Sequence, residues 1–152
     1  MRLSTKSRYA VTSMLNLAIH DQLDTVTLAD IAQMQGISLS YLEQLFAKLR
    51  KRHLVEGVRG PGGGYRLAKP LSEISVVQII TAVDEPESGY KHSGEGLNTQ
   101  ANLTRELWED LNERLYEFLD GITLANLIEQ PKARKMFNRL NKQDELAKRS
   151  AA

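Results

Sequence analysis

The apolar positions of the chain fall into helical runs, separated by one glycine-rich interruption and one long polar gap. In "RYAVTSMLNLAI", Tyr9, Val11, Met14, Leu15, Leu17 and Ala18 form a broad face that helical spacing explains better than alternation. "DQLDTV" breaks that run. Leu28, Ile31 and Ala32 then recur at i, i+3, i+4 behind Thr27, a candidate N-cap. Gly36 interrupts, as a left-handed helix end requires. Leu42, Leu45, Phe46 and Leu49 follow at i, i+3, i+4 and i+7 and predict a second helix. Ser40 with Glu43 matches the S-x-x-E capping box, and Ser38 competes as the cap, so the start is open by about two residues.

Beyond Leu54 the pattern changes. Two short extended runs flank "RGPGGG", whose glycines and Pro61 exclude a helix and favour a hairpin with a tight tip. "ISVVQIITAV" reads as a short buried helix capped by Ser75. Residues 86–104, "PESGYKHSGEGLNTQANLT", carry almost nothing apolar, and connections of that length are functional or disordered. A long one-sided helix follows, with Leu103, Leu107, Leu111, Leu115 and Phe118/Leu119 on one face beside Trp108, and acidic residues opposite. Such a helix pairs with its twin in another subunit or packs on its own domain; the pattern leaves both open. "ITLANLI" makes a last short helix. Residues 131–152 are polar and basic and read as a mobile, disordered tail. "VTLADI", "ISVVQI" and "ITLANL" look like an internal repeat. Their irregular spacing favours three independent capped helix starts.

The charge is unevenly distributed. Net charge is +1, yet residues 1–69 hold 10 Lys/Arg against 5 Asp/Glu, residues 70–130 hold 3 against 12, and residues 131–152 hold 7 against 2. A basic first half with "KLRKRHLVEGVR" suggests a polyanion partner or a solvated helix end. No apolar run is long enough for a membrane helix, and the N-terminus lacks a signal peptide's apolar core, so a cytoplasmic location is expected. The absence of cysteine excludes disulfides and every thiolate metal site.

Helix, turn, helix and glycine-rich hairpin is the order of a winged helix-turn-helix domain. In that arrangement the second helix exposes Ser38, Ser40, Tyr41, Glu43, Gln44, Lys48 and Lys51, and its N-terminal residues reach base edges in the major groove. Gln44 suits adenine and Glu43 suits cytosine N4; capping the helix is the competing role for Glu43. The Ser38, Ser40 and Tyr41 hydroxyls suit phosphates, with Tyr41 alternatively part of the core. Arg59, beside Gly60, Pro61, Gly62 and Gly63, is placed to enter a narrow minor groove. A nucleotide-phosphate loop fits poorly, because Tyr65-Arg66 follows Gly64 where a Walker motif needs Lys-Ser/Thr. No catalytic residues emerge: of the three histidines, neither His20 nor His53 has a nucleophile or carboxylate partner at motif spacing. Glu87, His92 and Glu95 form at most a loose metal site in the polar loop.

"MRLSTKSRYAVTSMLNLA", "LADIAQMQGISLSYLEQLFAKLRK" and "LVEGVRGPGGGYRLAKP" closely resemble the IscR-like iron–sulfur cluster regulators of the Rrf-two family. The likeness covers roughly residues 1–130. It implies a homodimer whose long helices cross, with two winged domains on double-stranded DNA at a pseudo-palindromic promoter site. It carries DNA contact onto Ser38, Ser40, Tyr41, Glu43, Gln44, Arg59, Gly60, Pro61 and Gly63, and favours dimerisation through the long helix. The departure is in the loop. These relatives hold a two-iron, two-sulfide cluster with three cysteines and a histidine there. Here "NLTR" puts Asn102 and Arg105 at the last two ligand positions, and the family spacing puts Gly96 and Tyr90 at the others. The resemblance therefore implies a cluster-free member.

The expected fold is mostly α with a small β-hairpin wing: a winged helix-turn-helix domain at 1–83, a loop at 84–102, a dimerisation helix and short helix at 103–130, and the tail. The expected function is a homodimeric DNA-binding repressor with no cofactor. The alternatives are a metal- or small-ligand-responsive sensor using the 86–102 loop, with an effector the sequence does not identify, and a protein-interaction adaptor.

Overall fold

A computed structural model of the protein describes residues 4–21, 26–60, 64–84 and 103–151. Helix α1 (Thr5–Asp21) leads into α2 (Leu28–Gln35) and α3 (Leu39–Lys51), then a two-stranded antiparallel hairpin, β1 (Val55–Gly57) and β2 (Tyr65–Leu67). A 3-10 turn at Leu71–Glu73 precedes α4 (Val76–Val83). The later helices are α5 (Arg105–Asp120), α6 (Leu124–Ile128) and α7 (Pro131–Ser150).

The helix boundaries follow from local chemistry. The Thr27 hydroxyl accepts the Asp30 amide, and the Asp30 carboxylate accepts the Thr27 amide, closing a capping box on α2. Ser75 with Gln78 does the same for α4, and Thr123 with Asn126 for α6. The three similar hexapeptides are thus capped helix starts, and two of them meet: Ser75 and Thr123 form an isolated antiparallel bridge. Gly36 ends α2 at φ 66, ψ 33, a left-handed conformation that costs a residue with a Cβ free energy. Ser38, not Ser40, caps α3: its hydroxyl accepts the Tyr41 amide at 3.2 Å, and Ser40 lies inside the helix.

The core gathers Met14 and Leu17 of α1, Ile31 of α2, Leu42, Leu45, Phe46 and Leu49 of α3, and Ile79 and Val83 of α4. Each burial at a helical i, i+3 or i+4 position contributes roughly 1.5–3 kcal/mol against exposure. Leu124 of α6 is 0% exposed in the same core. The short helix that the sequence groups with the long one is therefore packed into the winged unit, held by Leu124 N–H donating to Ile74 O at 2.9 Å.

The C-terminal segment corrects the sequence reading. Residues expected to form a mobile tail make the 20-residue helix α7, with Pro131 at its start and Lys148 and Arg149 in its last turn. Its Ala, Lys, Arg, Gln, Glu and Leu have high helix propensity, and proline is pre-organised for a first turn. Sparse apolar residues hid the period.

Candidate nucleic-acid interface

The α2–Gly36–α3 turn presents the first two turns of α3 outward. Ser38, Ser40, Glu43 and Gln44 are exposed, as is Lys51 near the far end. Because Ser38 is the cap, Glu43 is released from the capping role and projects from the second turn. Leu39 is 42% exposed at the first helical position, an apolar group the sequence pattern did not single out for function. Tyr41 is half-buried, with its ring 6.1 Å from Tyr9 at 84°, an edge-on contact that makes it partly a core residue.

Lys48 departs from expectation. Its side chain is half-buried, and its ammonium donates to the Val83 carbonyl at 3.4 Å. The cation sits at the C-terminal end of α4, where exposed carbonyls carry partial negative charge. Periodicity placed Lys48 on the open face of α3; the packing of α4 beside α3 covers it. The neighbouring Asp84 accepts hydrogen bonds from the hydroxyls of Ser4 (3.2 Å) and Ser7 at the start of α1.

The wing is fastened beside α3 at its base. Val55, Glu56 and Gly57 pair with Leu67, Arg66 and Tyr65, and Arg66 forms an exposed cross-strand ion pair with Glu56. The Tyr65 ring meets Phe46 of α3 at 5.1 Å and 66°, while its backbone bridges to Val26. A Cβ on Gly64 would lie 2.3 Å from the Val26 carbonyl oxygen, so only glycine permits this approach. The sequence shows Gly64 only as one of a run; its contact with a segment nearly 40 residues away is what makes it necessary. Gly60, at φ 119, turns the chain toward the tip, with Arg59 exposed beside it. Pro61 and Gly63 lie outside the described residues. Between wing and helix runs an open groove of about 500 Å³, bordered by Ala29, Leu39, Glu43, Val58, Gly60 and Tyr65. The structure thus brings Gly60 and Glu43 to one groove, and Arg59 is the exposed residue just before Gly60.

Residues 3–130 match the Rrf2 (Rrf-two) family, described as "Iron-dependent Transcriptional regulator". The chain belongs to the Rrf2 family. It is 57% identical to the HTH-type transcriptional regulator IscR of Serratia proteamaculans over 130 residues, 84% of this chain and 79% of that one. Among solved structures it resembles T. potens IscR, with TM-score 0.69 and 40% identity over 85% of this chain and 87% of that one. It also resembles CymR, the global cysteine regulator of B. subtilis, with TM-score 0.68 and 35% identity over 84% and 95%. Membership places the chain among winged-helix transcriptional regulators rather than enzymes. No helix among the described residues is long and apolar enough to cross a membrane.

The iron in the Rrf2 family description does not fit this chain's donors. Iron–sulfur clusters are held by thiolates, with imidazole as an occasional replacement, and the chain has no cysteine. The His20 ring nitrogen pairs with the Asn16 carbonyl at 2.8 Å, and His53 occupies a left-handed turn after α3. No group of three His, Asp or Glu is placed to hold a metal among the described residues. Arg105, at the position expected from the resemblance for a histidine, pairs with Glu109 at 2.8 Å along α5. Glu87, Tyr90, His92, Glu95, Gly96 and Asn102 lie outside the described residues.

The residues expected to dimerise form an apolar stripe on α5. Leu107, Leu111 and Phe118 are exposed with Trp108, as is Leu103 just ahead of the helix, whereas Leu115 is half-buried.

Proposed function

We propose that this Rrf2 regulator represses transcription as a homodimer that reads DNA without an iron–sulfur cluster. The observation that carries the reading is the groove between α3 and the wing, where Leu39 and Glu43 face Val58 and Gly60 across one open channel, with Arg59 exposed between those two wing residues. In this reading α3 enters the major groove with its N-terminal residues at the bases, and Arg59 reaches the minor groove. Gln44 reads adenine, Glu43 accepts from cytosine N4, and Leu39 meets a thymine methyl. Ser38 and Ser40 hold phosphates at the positive end of the α3 dipole. The stripe on α5 pairs with its twin, setting two heads on a pseudo-palindromic site and blocking polymerase access.

The test is selection of binding sites from a genomic fragment library, followed by gel-shift titration and sedimentation of the protein–DNA complex. The expected result is a two-fold-related consensus bound by two chains, in protein free of iron. Stoichiometric iron in purified protein would overturn the cluster-free part. A consensus unchanged by Gln44→Ala would remove base reading by that residue.

A further inference from the structure

A second cavity of about 250 Å³ lies away from the DNA-facing groove, where α4, the segment leaving β2 and α5 converge. Its apolar wall is Leu54, Val77 and Ala82, all buried. Its polar side is rich in donors and, among the described residues, has no carboxylate. Lys69, a half-buried residue, borders it and has no ion-pair partner among the described residues. Thr81 and Tyr116 contribute hydroxyls. The Gln78 carbonyl is committed to the Ser75 amide in the capping box, which leaves its NH2 group to donate. Arg52 also borders the cavity but is engaged within the chain, so Lys69 supplies the cation for a ligand.

An ammonium beside an apolar wall, with no counter-charge among the described residues, can hold a bound anion by a charge-assisted hydrogen bond. The volume equals roughly eight waters at about 30 Å³ each, below the range of drug-sized pockets. We propose that this cleft binds a small carboxylate with a short apolar stem: Lys69 and Thr81 take the carboxylate, Gln78 and Tyr116 donate at its edge, and the stem lies on Leu54 and Val77. At 3.6 residues per turn, Tyr116 is about 140° around α5 from Leu111 and about 180° from Leu107. Tyr116 therefore lies on the opposite side of α5 from the middle of the apolar stripe. A ligand there touches α5 and the turn that directly follows α3, so it biases the angle between dimer helix and winged head. That consequence rests on the dimeric regulator reading; the binding itself does not.

Isothermal titration of the full chain with a panel of three- to five-carbon mono- and dicarboxylates tests it, with chloride and inorganic phosphate as controls at matched ionic strength. At least one carboxylate should bind saturably, with affinity falling about tenfold in Lys69→Ala and several-fold in Thr81→Val. Both variants should keep the wild-type circular dichroism. No saturable binding by any member of the panel overturns the proposal, as does equal affinity in Lys69→Ala or phosphate binding as tightly as the carboxylates. DNA binding is not part of this readout, so a failure of carboxylate binding is distinct from a failure of the regulator reading.

Discussion

The winged head and helix α5 have similar amphipathic sequences and opposite fates. In the head, Met14, Leu17, Phe46 and Leu49 are sealed from solvent, each by side chains from other elements of the same chain. α5 has no fully buried residue, and Phe118 and Leu107 remain 66% and 63% exposed. The head's pattern is complete within one chain; that of α5 is not. An apolar stripe this long, beside an acidic face, makes sense only when something covers it. A two-fold partner offers the same stripe in return, which is why the contrast supports a dimer.

The largest expected effect comes from breaking the α5 side. Leu107→Asp with Leu111→Asp puts two carboxylates into the proposed interface and leaves the head untouched. Sedimentation should show monomers, and operator affinity should fall on the order of 10²–10⁴, because the second head no longer gains from tethering. The thermal unfolding of the head should change little. A dimer that survives would move the interface off α5.

Next is Gly64→Ala on the head side. The added Cβ meets backbone, not a flexible side chain, so the wing base must shift. Overpacking of this kind costs about 1–3 kcal/mol. DNA affinity should fall more than stability does, since the wing moves relative to α3 while the rest of the core stays. Gel shift and chemical denaturation, read together, check this.

Ser38→Ala comes third, at about 1 kcal/mol of stability for a lost N-cap. Ser40→Ala should be near neutral in denaturation, because Ser40 caps nothing. The sequence could not choose between them, since both hydroxyls have suitable spacing and only the backbone decides which residue is extended. Thr27, Gly36 and Ser75 were legible because each stands directly before or after an apolar helical run. Lys48 and Gly64 were not legible in their roles, because both depend on segments far away in the chain. The α7 helix was missed for a different reason: its signal is propensity, and apolar period is the stronger signal. On the acidic side of neutrality, Asp30 adds a smaller term to the same capping logic. Hydrogen bonds from the Thr27 hydroxyl and then the Thr27 amide hold its carboxyl below the usual value. Its contribution is present above the ordinary carboxylate range and lost as pH falls through the lowered value. Asp30→Asn should flatten that part of the stability–pH curve, an effect kept small by solvent screening and checked by denaturation at several pH values.

The smallest expected effect is a null one, and it separates two kinds of basic residue on the DNA-facing side. A lysine or arginine that neutralises a phosphate contributes about 0.9 to the slope of log affinity against log salt. Arg59 is exposed at the wing, so Arg59→Ala should weaken binding and lower that slope by about one contact. Lys48 holds the Val83 carbonyl instead. Lys48→Met keeps the packed stem and removes only the ammonium, so binding should weaken slightly with the slope unchanged. The same variant should loosen α3 against α4, seen as faster amide exchange in the last turns of α3. A slope reduced as much as in Arg59→Ala would return Lys48 to the DNA surface and show that the α4 contact gives way when DNA binds.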